Sequence, residues 1–352
     1  MEGKQLVTEK IFGKTPEGEP VTLYSISNQK GVQADVMNYG AILVNLFVPD
    51  KKGKIADVNL GYDKLNKYFT NGNFFGASVG PIANRTANAK FTLDGKTYKL
   101  DVNDGKNNLH TDFDKGFHKR LFRAEVDESK NSVTFTISMK DGELGLPGNR
   151  KFAITYSVTE DNGLRIDYDA TTDKKTIINP TNHSYFNLKG HESGSVLDEE
   201  LWLNCSRFTK IVAGAIPTGE LVSVKGTPLD FTTAVPIGKR IRSRFEQMLL
   251  VHGYDHNFVS DGNPGELTKI AVLSDKEAGR TMEVYTDMPG IQVYSANWVG
   301  RHKGKGGAQY KRRCAVALET QYFPNSTNDP NFAKPVVEPG KPFHSTTIYK
   351  FV

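Results

Sequence analysis

The chain has 352 residues, of which 38% are hydrophobic and 24% charged, with a net charge of +5. That balance fits a soluble globular protein and is too mild to imply a general attraction to nucleic acid or membranes. No apolar run reaches the roughly 18 residues of a membrane span, and the opening MEGKQLVTEKIFGK lacks the apolar core of a signal peptide. Two cysteines, Cys205 and Cys314, make no disulfide framework and point to a reducing cytoplasm. Glycosylation sequons begin at Asn84, Asn182 and Asn325; the first two fall in segments read below as a site, where a glycan would abolish function, so a secretory route is disfavoured.

In chain order, GPIANRTANAKF (80–91) is a Gly/Pro-led loop that presents Asn84 and Arg85. FTLDGKTYKL (91–100) is two β-prone runs around Asp94-Gly95, a hairpin signature. NNLHTDFDKGFHKRLF (107–122) is a second loop, carrying His110. VTFTISM (133–139), FAITYSV (152–158) and LRIDYDATT (164–172) read as strands, with Asp161-Asn162-Gly163 turning the chain between the last two. The best helical periodicity lies in IGKRIRSRFEQML (237–249). RTMEVYTDMPGIQVYSANW (280–298) is a strand, a Pro289-Gly290 turn and another strand. RHKGKGGAQYKRR (301–313), with six Lys/Arg and three glycines, reads as a solvated loop. With no repeat, linker or composition shift, the pattern predicts a single all-β domain over 1–352, a large antiparallel β-sandwich.

The stretch NPTNHSYFNLKG (179–190) concentrates groups that hydrogen-bond to hydroxyls. In an extended strand side chains alternate faces, so His183, Tyr185 and Asn187 share one face and Ser184, Phe186 and Leu188 the other. That polar face suits a polyhydroxylated ligand, and equally a core histidine satisfied by Asn182. In RRCAVALETQYF (312–323), Ala315, Ala317, Glu319 and Gln321 share a face, with small alanines leaving room beside the carboxylate. A glutamate in so apolar a strand is costly to bury unless it is paired or used; a salt bridge to a nearby arginine is the structural alternative. Asp255 and Asn257 of GYDHNFV (253–259) also share a face. His252 and His256 are four apart, but Gly253 and the strand-like NFVS argue against a helical metal pair, so no metal is expected. There is no phosphate-binding loop, dinucleotide fingerprint, nucleophile elbow or zinc cysteine pair, which leaves acids, bases and amides to do any chemistry. Arginine donates in a planar fork, and neutral histidine both donates and accepts; both suit sugar hydroxyls.

Together these segments resemble the aldose 1-epimerase family, also called galactose mutarotases. The resemblance spans essentially the whole chain, through ANRTANAKFTLDGKTYKL, NNLH with KGFHKR, NPTNHSYFNLKG, AGAIPTGELVSVKGTPLDF (213–231), GYDHNFV and ALETQYFPNSTNDPNF in the family's order. It implies a β-sandwich with an open sugar-binding cleft, and interconversion of the α and β anomers of free hexoses such as galactose and glucose. By that likeness His183 is the general acid and Glu319 the general base, while Asn84, Arg85, His110, Tyr185, Asp255 and Gln292 bind substrate. The implied partner is a small aldose, with no cofactor, metal, nucleic acid or membrane. Reference pKa values of about 4.3 and 6.5 let a carboxylate and an imidazolium coexist between those limits. The family usually follows its first loop histidine with Gly-Gly, whereas this chain has His110-Thr111-Asp112. Two rivals are an epimerase for hexose 6-phosphates, which needs a basic pocket, and a carbohydrate-binding module, which needs no acid-base pair.

Overall fold

A computed structural model describes residues 6–352. Antiparallel strands dominate it, in three main sheets that together form a β-sandwich-like fold. The nine-stranded sheet runs in spatial order Arg123–Asp127, Ser132–Met139, Arg150–Val158, Gly163–Thr172, Phe343–Phe351, Arg280–Thr286, Thr268–Asp275, Glu200–Leu203 and Val235–Pro236. The six-stranded sheet runs Tyr185–Phe186, Val316–Gln321, Gly290–Tyr294, Asp255–Val259, Arg207–Val212 and Ile216–Ser223. A five-stranded N-terminal sheet covers Val7–Asp57. One apolar core joins all three, drawing Phe135, Ile154 and Val284 from the first, Phe186, Leu318 and Val293 from the second, and Ala34, Val36 and Leu43 from the third. Across it, Tyr349 Oη donates to the Leu318 carbonyl at 2.9 Å, tying the strand of Glu319 to the opposite sheet.

Most strand expectations hold, because period-two patterning is forced wherever a sheet buries one face. Leu93 pairs with Lys96, so Asp94-Gly95 is a two-residue hairpin turn, with both residues at positive φ (49° and 77°) as such a turn demands. Val158 pairs with Leu164 around the Asp161–Gly163 turn. Pro289-Gly290 does not close a hairpin: it carries the chain from the nine-stranded sheet into the six-stranded one.

Two expectations fail. The helix predicted over 237–249 is two fragments, a 3₁₀ turn Ile237–Lys239 and a single α-helical segment Glu246–Leu250. Gly238 packs against Leu197, its N–H donating to the Leu197 carbonyl at 2.7 Å, and this tertiary contact overrides the weak local propensity. The basic run 301–313 is not simply solvated. Lys305 is buried, donating to the Val44 carbonyl at 2.8 Å and Asn45 Oδ1 at 3.0 Å, and closing an ion pair with Asp57. Three acceptors satisfy the ammonium, so the loop is pinned to the N-terminal sheet through its one buried charge. Among the described residues, no helix is long and apolar enough to cross a membrane.

Removing one partner of a buried ion pair strands the other charge, typically at a cost of about 3–5 kcal/mol. Lys305→Met is therefore expected to lower stability by that order in chemical denaturation, and a loss near zero would contradict the pinning role.

Candidate active site

The six-stranded sheet turns one face to the core and the other to a cavity. Register places Tyr185, Ala317, Tyr294 and Asp255 in one row across four strands, and Glu319, Gln292 and Asn257 in the next. The odd-even alternation that sends Leu318, Val293 and Phe258 inward thus sends the carboxylates and phenols outward. The stretch 179–190 is not one strand. Thr181–His183 pairs with Ala77–Val79, and after Ser184 the chain changes partner, Tyr185 pairing with Ala317. His183 and Tyr185 still stack, ring centroids 4.9 Å apart, and Phe74 lies on the histidine's surroundings at 6.0 Å. Asn187 leaves the group: its amide donates to the Gly194 and Cys314 carbonyls and serves the loop instead.

Two loops close the opposite side. Asn84 and His110 are tied together twice, the His110 N–H donating to the Asn84 carbonyl and the Asn84 N–H donating to His110 Nδ1, both at 3.1 Å. Burial holds the His110 ring far below its usual pKa, with the neighbouring His183 adding to the effect, so it is neutral. With Nδ1 accepting, its Nε2 carries the hydrogen and donates. Arg85 Nε donates to Asp104 at 2.9 Å, and its Nη1 stands 3.7 Å from Asp255. Gln292 Nε2 donates to Asp255 Oδ1 at 2.6 Å. Asp255 is therefore held from both sides.

At the centre, His183 Nε2 and Glu319 Oε1 lie 3.5 Å apart, both residues at most 5% exposed. Burial lowers His183 to about 4. Burial, with the charge of Asp255 adding and that of Arg85 opposing, raises Glu319 well above the usual carboxylate range. The reference values let an imidazolium face a carboxylate; burial disfavours both charges and favours each group neutral. The proton count is the same either way: the pair holds one. His183 Nδ1 and Glu319 Oε2 are buried without a hydrogen-bond partner among the described residues, and both residues line the cavity. One ligand atom each from His110, His183 and Glu319 lie within 4.8 Å of one another. A cation there needs lone pairs, and the protonated Nε2 of His110 offers a hydrogen instead, as a hydroxyl would want.

The cavity holds about 160 Å³ and is lined by Asn84, Arg85, His110, His183, Tyr185, Asp255 and Glu319. Gln292 does not line it; its place is behind Asp255. No lysine or arginine of 301–313 lines it, and Arg85, which does, is set against Asp104 and Asp255. Sequence reasoning missed Asn73, Phe74, Phe113, Tyr294 and Trp298 in its wall. Tyr294 was reachable, standing two residues after Gln292 on the same strand face. The others come from turns, where no periodicity marks direction.

The loop that departs from Gly-Gly keeps a glycine-like backbone. His110 and Thr111 both have positive φ, 56° and 68°, which is costly for a β-branched residue. Thr111 compensates through its buried hydroxyl, which accepts from the Ile82 N–H at 2.9 Å and donates to the Ile82 carbonyl at 2.8 Å. Asp112 Oδ1 in turn accepts from the N–H groups of Asp114 and Lys115.

This arrangement on a large antiparallel sandwich matches a known class. The aldose 1-epimerase family model matches residues 22–350, and the chain belongs to that family. It is 39% identical over 348 residues to galactose mutarotase from Bos taurus, covering 98% of each chain. It is 34% identical over 340 residues to aldose 1-epimerase from Escherichia coli, covering 96% of this chain and 97% of the relative. Among solved structures, an aldose epimerase homologue from C. elegans superposes with a TM-score of 0.86 at 28% identity, covering 94% of this chain and 98% of its own. Galactose 1-epimerase from Lactobacillus acidophilus gives 0.86 at 26%, covering 98% of both.

Thr111→Val keeps shape and strain but strands a buried N–H and C=O. The expected cost is about 1–3 kcal/mol in denaturant unfolding; an unchanged midpoint would show that the hydroxyl does not stabilise the loop.

Proposed function

We propose that this protein is an aldose 1-epimerase, an isomerase that interconverts the α and β anomers of free hexoses such as galactose and glucose. The observation that carries the reading is the buried pair His183–Glu319, 3.5 Å apart in the cavity wall. O1 and O5 of a pyranose are bonded to the same carbon, so the base for one and the acid for the other must stand side by side. Glu319 takes the O1 proton as general base, the C1–O5 bond breaks while C1=O1 forms, and His183 as general acid delivers a proton to O5. Rotation about C1–C2 presents the other face of the aldehyde, and the steps reverse with roles exchanged. One proton enters the sugar and one leaves, so the pair ends each half-reaction with the count it began with.

Burial favours the neutral form of the pair, and a bound sugar shifts it. A hydroxyl donating to Glu319 and a ring oxygen accepting from His183 both stabilise the charge-separated form. Asn84, Arg85, His110, Tyr185 and Asp255 hold the sugar while its ring is open, and Gln292 acts through Asp255. His110 Nε2–H is a donor, and Asp255, with Arg85 and Gln292 set against it, an acceptor, which together orient hydroxyls. The parts come from residues spread between 84 and 319, so we take the whole chain as one functional domain. We infer a free aldose as the sole partner the reaction requires. The two cysteines, both free and buried, support a reducing compartment such as the cytoplasm.

A positioned acid or base contributes about 10²–10⁴-fold. His183→Asn and Glu319→Gln are each expected to lose at least that much in kcat when fresh α-D-galactose and α-D-glucose are followed by polarimetry, with circular dichroism unchanged. Near-normal rates in either folded variant would exclude its role.

A further inference from the structure

Where the broken helix of 237–250 approaches the end of the basic loop, a second cavity opens that shares no residue with the first. It holds about 320 Å³. Its walls are of two kinds: Ile241, Met248 and Leu249 are apolar, and Arg242, Arg312 and Arg313 bring guanidinium groups from two segments about 70 positions apart in sequence to one groove. Arg312 Nη2 donates to the His252 carbonyl at 2.8 Å, and Arg313 donates to the same oxygen and to Ser295 and Asn297. These two cations are thus fixed side by side. Arg242 is exposed and makes no hydrogen bond or ion pair among the described residues.

None of these three arginines has a carboxylate within 4.0 Å among the described residues, and neither do their neighbours Lys239, Arg240 and Arg244. Glu246 is the one acidic residue between 237 and 252 and makes no ion pair either. Elsewhere the chain neutralises its clustered charges, as with Lys305 and Asp57 or Arg85 and Asp104. Holding like charges together without a counter-ion costs stability.

We propose that this groove binds a small organic phosphate, with the phosphoryl group on Arg242 and Arg312 and the carbon body on Ile241, Met248 and Leu249. A guanidinium fork pairs with two oxygens at once. A carboxylate fills one fork, whereas a phosphate monoester has three acceptor oxygens and meets forks from both segments. The volume lies at the small end of the roughly 300–1,000 Å³ usual for small-molecule sites, too small for a folded partner's face. The site is distinct from the catalytic cavity but adjoins it. The ring of His252, in the groove wall, stands edge-on to Trp298, in the cavity wall, with centroids 4.8 Å apart.

The proposal does not depend on the mutarotase reading, and its test is separate. Phenyl phosphate is titrated into the full-length protein by calorimetry, with phenol as the uncharged control and saturating galactose as competitor. Saturable binding of phenyl phosphate is expected, with none of phenol, and it persists in galactose. Arg242→Ala, which removes no hydrogen bond or ion pair among the described residues, weakens it about tenfold or more, as expected for one lost charge-assisted pair, and leaves the polarimetric rate unchanged. Arg312→Ala gives a second reading of the same loss. Absence of saturable binding, equal affinity in Arg242→Ala, equal affinity for phenol, or displacement by galactose would each overturn the assignment.

Discussion

The contact between His183 and Glu319 is the constraint on which the rest of the molecule is arranged. Two titratable groups 3.5 Å apart, out of water, hold one proton between them because burial penalises the charge on each. Ring opening asks for one acid and one base at the same carbon. In the proposed reaction one such pair supplies both, and desolvation sets the pH range over which it keeps its proton.

This arrangement opposes folding. Because the folded His183 has its pKa lowered to about 4, the unfolded chain binds a proton that the folded one refuses, and stability declines as pH falls from about 6.5 toward 4. Glu319 acts in the opposite sense: the folded state keeps a proton that the unfolded chain loses, so stability declines as pH rises from the ordinary carboxylate value through its raised one. Between the ordinary carboxylate value and about 6.5 the site draws on stability through both groups at once. The compensation lies in the sandwich, where Leu318 and Phe186, next in sequence to Glu319 and Tyr185, are buried in the joint core and Tyr349 holds the Leu318 carbonyl. Asp255, braced by Gln292 and Arg85, extends the same logic to the binding wall.

What was legible in the sequence follows from which forces are local. Alternation showed that Glu319 stands on the face away from Leu318, and the Asp94-Gly95 turn was readable because few dipeptides accept two positive φ angles. His183 was found within a stretch taken as one strand, although the chain changes partner at Ser184; two short strands preserved the neighbourhood of His183 and Tyr185 but diverted Asn187. Lys305 read as a solvated cation because its partner Asp57 lies 248 positions away, and no local pattern reports such a distance. The aromatic wall from Phe74 and Trp298 was hidden for the same reason, since turns direct side chains by tertiary contact. The protonation of the pair was not legible at all: reference pKa values describe water, and burial moves both groups away from them.

The most direct test of that shift is the ring ¹⁵N resonance of His183 followed in the sugar-free protein as pH is lowered, assigned by comparison with His183→Asn. The structure predicts a neutral imidazole at pH 7 that takes up its proton only near pH 4. A ring already charged at neutral pH, or titrating near the reference value of about 6.5, would contradict the account.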